Sequence, residues 1–104
     1  MAKYLFVYHG GSKPQAPDEV VRVMRAWEDW FGAMGSAAVD PGNPVGLSST
    51  VNSDGSVTSN GGSNPASGYS LIEATSLEAA IGHARKCPIL AAGGSIELAE
   101  IIEM

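Results

Sequence analysis

Cysteine, histidine and positive charge are all scarce in this chain of 104 residues, and each scarcity excludes a class of function. A single cysteine, Cys87, leaves no internal disulfide and no cysteine-based zinc cage. The two histidines, His9 and His83, stand 74 positions apart, and no His/Asp/Glu cluster has metal-ligand spacing, so no metal site is expected. Six Lys and Arg face eleven Asp and Glu, for a net charge of −5, and no Lys or Arg lies between Arg25 and Arg85. Nucleic acid needs a positive field along its phosphates, so it is a poor partner here. No apolar run approaches the ~18 residues of a membrane span. Lys3 is followed by a short strand-like run without a signal peptide's apolar core or cleavage site, so a cytoplasmic location is expected. No serine or cysteine elbow motif is present.

Hydrophobic residues make up 44% of the chain and charged residues 16%, which fits one folded domain over residues 1–104, and the order of elements below makes it α+β. Residues 3–9, Lys3 to His9, are apolar, aromatic and β-branched, and stop at Gly10-Gly11, which predicts a strand buried on both faces. Residues 17–34 predict a helix with Pro17 in its first turn, Asp18 and Glu19 at its positive end and Gly35 as its stop. Its stripe is Val20, Val23, Met24, Trp27, Phe31 and Met34, with Trp30 at the edge. From Asp40 to Gly68 the 29 positions hold six Gly, seven Ser and four Asn. There Ser53-Asp54-Gly55, flanked by residues 49–52 and 56–58, signals a hairpin. Residues 68–74 predict another strand. Thr75 and Glu78 then fit a capping box for a helix running to Lys86, with Leu77, Ala80, Ile81 and Ala84 inward and Pro88 as its stop. Residues 95–103 predict the last strand.

This order is the ferredoxin-like βαββαβ pattern with an inserted hairpin and Gly/Ser-rich loop, an antiparallel sheet with two helices on one face. The first strand is apolar on both faces, so the other face of the sheet is left sticky. Stacking two such faces in a homodimer covers it and encloses a cleft.

His9 is the principal site candidate, because it ends a strand beside a glycine loop, where binding residues project from a rigid base. A buried structural histidine bonded to backbone is the other reading of it. Asp40 is either the carboxylate that orients His9 or an Asx turn before Pro41. Asn43, Asn64 and Ser70 are candidate polar contacts for a small-molecule ligand. Asn64 belongs to the loop 60–67, expected to be an ordered cleft wall, with a floppy connector as the alternative. Glu97, Glu100 and Glu103 recur every three residues. In a regular strand Glu100 shares an apolar face and becomes a site candidate; a bulge at Ala99 would return it to solvent.

The opening Lys3–Gly11, the segment Val39–Pro44, the stretch Gly68–Ala74 with Ser76–Ala80, and the ending Cys87-Pro88 through Gly94–Glu97 together resemble the YCII-related domain family. The resemblance spans almost the whole chain. It implies the dimeric α/β-barrel form of the ferredoxin-like fold and, for some members, an enzyme with a His–Asp pair in the cleft; His9 and Asp40 are the positions that could fill it. Where many relatives carry Asp-Gly-Pro-Phe, this chain has Asn60-Gly61-Gly62-Ser63. The expected function is a small cofactor-independent enzyme moving a proton in a lyase, isomerase or hydrolase step. A dimer that binds a small molecule in the same cleft without turnover is the alternative.

Overall fold

The computed structural model describes all 104 residues as an α+β chain around one four-stranded sheet. Strand β1 (Ala2–His9) lies in its interior, because its alternating residues are apolar on both sides. Around it stand β2 (Ala38–Asp40), β5 (Ala66–Ala74) and β6 (Ser95–Glu100), in the order β2-β5-β1-β6 with every neighbouring pair antiparallel. This topology is compatible with a ferredoxin-like fold. The Asp-Gly hairpin forms, with β3 (Thr50–Val51) and β4 (Val57–Thr58) as a separate two-stranded sheet. Its turn is closed by the Asp54 carboxylate, which accepts from the Ser56 backbone N–H and hydroxyl at 2.9 and 2.6 Å. Those bonds hold the Asp54 carboxyl below its ordinary range.

One face of the sheet carries the core. Tyr4, Phe6 and Tyr8 of β1 and Ile72 and Ala74 of β5 are buried there under Trp30, Ala80, Ala84 and Cys87. Helix α1 (Pro17–Met34) begins at a proline and ends at Gly35, whose φ of 59° lets its N–H turn back to the Phe31 carbonyl. The buried line of α1 runs through Trp30, packed with Trp27 and Phe31, whereas Val23 and Met24 of the expected stripe stay exposed. Trp30 wins the central place because its indole N–H reaches the His83 carbonyl at 2.9 Å, which satisfies its one polar atom on burial.

The second half differs from expectation in its boundaries. Helix α2 (Leu77–Ala84) is capped by Ser76, whose hydroxyl accepts from the Ala79 N–H at 3.1 Å, and not by Thr75. Leu77 is exposed rather than inward. Pro88 starts a further helix, α3 (Pro88–Ala91), because its fixed φ suits a first turn as well as it ends the helix before it. Strand β6 stops at Glu100 instead of continuing to Glu103; beyond it only the Ile101 N–H still bonds β1, at the Lys3 carbonyl. Cys87 is buried, and burial pushes its thiol up to about 11. No helix is long and apolar enough to cross a membrane.

Candidate functional site

His9 lies at the C-terminal end of β1, where two neighbours constrain it differently. With β6 the pairing is regular, His9 opposite Ser95 and Val7 opposite Glu97. With β5 the register slips, since Tyr8 pairs with Gly68 and His9 with Ala66, leaving Ser67 as the extra residue. The strand ends are drawn close at this point: a Cβ on Gly94 would lie 2.6 Å from the His9 carbonyl oxygen, so only glycine fits.

Both ring nitrogens of His9 are occupied. Nδ1 bonds the Pro65 carbonyl at 3.2 Å, and Nε2 meets Oε1 of Glu97 at 3.0 Å. The side chain of His9 is 11% exposed and that of Glu97 is 68% exposed, so the pair has a sheltered end and a wet end. A carbonyl and an ionised carboxylate can only accept, and the ring state that donates to both is the imidazolium. The pKa of His9 is accordingly raised above its ordinary 6.5, first by the bond to Glu97 and then by the backbone carbonyls of Pro65 and Asn64, against the opposing effect of burial.

Around the pair the surface is apolar. Alternation places Leu5 and Val7 of β1 and Tyr69 and Leu71 of β5 on the face away from the helices, all half-buried. The Ser67 hydroxyl is buried without a hydrogen-bond partner in the chain, a rare state that calls for an explanation.

The other residues singled out in the sequence separate from His9. Asp40 does not meet it; its carboxylate accepts from the Gly42 N–H at 2.9 Å, which is the Asx turn. The carboxylate beside His9 is Glu97. Ser70 faces the helices, fully buried, accepting from the Tyr8 hydroxyl at 2.7 Å and donating to the Pro41 carbonyl at 2.6 Å. Burial pushes the Tyr8 phenol up, against the pull of Ser70. The Asn43 side chain is exposed, and the residue's backbone carbonyl accepts from the Tyr69 N–H. Asn64 is exposed too, and reaches His9 through its backbone rather than its amide. Glu100 falls on the helix side, opposite Tyr4 and toward the far end of β1 from His9, with no bulge at Ala99. It is exposed because the strand ends there, in a groove of about 320 Å³ shared with Met1, Lys3 and Ile101.

No group of three or more His, Cys, Asp or Glu side chains is placed to hold a metal ion. Comparison of the sequence with protein-family models and with curated proteins finds no match. The arrangement offers one chemical capability: an imidazole oriented through Nδ1, whose Nε2 can exchange a proton with a partner that displaces or accompanies the exposed Glu97 carboxylate.

Proposed function

We propose that this chain acts as a homodimer, stacked through the open face of its sheet, with His9 and Glu97 forming a general acid/base pair for a small organic molecule. The observation that carries the reading is the orientation of His9, with Nδ1 held by the Pro65 carbonyl and Nε2 turned to Glu97 at 3.0 Å. In this reading Pro65 does the orienting work first expected of Asp40. Nε2 is the atom that gives or takes the proton, and Glu97 is its exchange partner at the solvent side. No cofactor is called for, and the chemistry remains a proton transfer of the lyase, isomerase or hydrolase type. The resemblance to the YCII-related family supports a dimeric barrel, with Glu97 in place of the acid expected at Asp40.

The dimer rests on surface area. The chain measures 44 × 41 × 18 Å and exposes 7109 Å². A folded monomer of this mass exposes about 5,500 Å², so roughly 1,600 Å² is in excess. A standard interface removes about 800 Å² per partner, and the exposed Leu47, Val51 and Val57 beside the half-buried open face are apolar surface that a partner would cover. Sedimentation at micromolar concentration should return a dimer, and a monomer there would overturn this part of the reading.

A second reading, binding without turnover, is favoured by one fact: neither ring nitrogen is free in this state. The two separate in a screen of small metabolites by thermal shift followed by NMR of each stabilising compound. Chemical change of the compound that is lost in His9→Gln supports the enzyme. Saturable binding with the compound unchanged supports the binding protein.

A further inference from the structure

A groove of about 470 Å³ lies on the helix side of the sheet, between α1 and α3 and the segment after Gly11, away from the His9 face. That volume is in the range of small-molecule sites. Its walls are apolar: Trp27, Val23 and Ile89 line it. Trp27 is held edge-on to Tyr8 and to Trp30, with ring centroids 5.1 and 5.7 Å away, so it presents a fixed aromatic surface. Ile89 is fixed as well, since it fills the space against Gly11 and Gly94 that a Cβ at either would occupy.

The rim is unusual for an acidic protein. Of six cations in the chain, Lys13 and Arg22 both stand at this one groove, with Glu19 as the only acid there. The single ion pair of the molecule joins His9 to Glu97, so neither cation is neutralised by a contacting carboxylate. The local balance is one positive charge, which matches a monoanion; a phosphate dianion would also have to face Glu19.

We propose that this groove binds a small apolar carboxylate, its aromatic or branched chain against Trp27 and Ile89 and its carboxylate on Lys13 and Arg22. A guanidinium and an ammonium make the charge-assisted bonds that select an anion, and the fixed indole supplies the apolar contact. The site goes beyond the His9 reading and stands or falls separately from it.

The test is NMR titration of the full chain with 3-phenylpropionate, its uncharged analogue 3-phenylpropionamide, and inorganic phosphate. The expected result is saturable shifts of the Trp27 indole N–H and the Ile89 methyls with the acid at millimolar affinity or better. The amide should bind about tenfold more weakly, and Lys13→Gln and Arg22→Gln, both at exposed positions, should each weaken the acid several-fold. Phosphate alone should not shift Trp27. The proposal is overturned by any one of four results: no saturable shift below about 10 mM acid, equal binding of acid and amide, undiminished binding by both variants, or shifts confined to Val7, His9 and Tyr69. The last would place the acid at the His9 face and leave the reading of that face intact.

Discussion

Replacing Glu97 with Gln keeps the shape of the His9 partner and removes its charge, which isolates the electrostatic part of a 3.0 Å contact. Because the pKa of folded His9 is raised above 6.5, the native state holds more protons than the unfolded chain between 6.5 and that raised value. The stabilisation is therefore complete below 6.5 and is lost as pH rises through the folded pKa. Coulomb's law at this separation allows several kcal/mol even at the effective dielectric of about 20 near a protein surface, but Glu97 is 68% exposed, and water and salt screen the pair. The magnitude belongs with exposed ion pairs, about 0.2–1 kcal/mol. The assay is urea unfolding of wild type, Glu97→Gln, His9→Gln and the double variant, at about pH 5.5 and about pH 9, with common titrations cancelling in the double-mutant cycle. A coupling of this size should appear at the lower pH, shrink with added salt, and vanish at the higher pH. A coupling that is zero at the lower pH, or equal at both, refutes a charged His9–Glu97 pair in solution.

Trp30→Phe should cost about 1–3 kcal/mol in chemical unfolding, since it shrinks a buried side chain and strips the His83 carbonyl of its 2.9 Å donor. An unchanged midpoint would mean that α1 does not dock through Trp30. Ser76→Ala removes the α2 cap and should cost about 1 kcal/mol, whereas Thr75→Ala should cost much less, a contrast that thermal melts of the two variants read directly. Gly94→Ala sets a Cβ 2.6 Å from both the His9 carbonyl oxygen and the Ile89 side chain, and should destabilise by about 1–3 kcal/mol while shifting the His9 ring resonances. Wild-type stability together with an unmoved His9 spectrum would show that the strand ends are looser than this packing requires.

The architecture was legible because the strong signals are local. The two-sided apolarity of residues 3–9, the proline and glycine bounding α1, and the Asp-Gly turn each act within a few residues, and each formed its element. The misplaced details depend on competition between neighbours. Thr75 and Ser76 are both good caps, and only the backbone path after β5 selects Ser76. Val23, Met24 and Leu77 have the right period for burial yet stay exposed, while Val20 and Ala80 on the same helices are half-buried and buried, so period alone does not say which members of a stripe find a packing partner. Pro88 carries equal information as a stop and as a start, and the short helix after it emerges from packing, with Ile89 wedged against the glycines.

The site was harder to read, for a reason that lies in strand pairing. A search for a carboxylate near His9 along the chain finds Asp40, which ends a short strand, yet β2 is separated from β1 by β5. Asp40 can close its own turn without leaving that edge. Glu97 is 88 residues from His9 in sequence but lies on the strand directly beside it. Once His9 is opposite Ser95, a residue two positions further along β6 shares the same face, and a diagonal neighbour is within reach of a long side chain. The acidic triplet at 97, 100 and 103 contained the signal; the three-residue repeat drew attention to Glu100, which alternation sends to the opposite face. The Pro65 carbonyl leaves no mark in side-chain chemistry at all. It is aimed at Nδ1 by the loop before β5 and by the register slip around Ser67, so the orientation of His9 is a property of backbone geometry that only the folded chain displays.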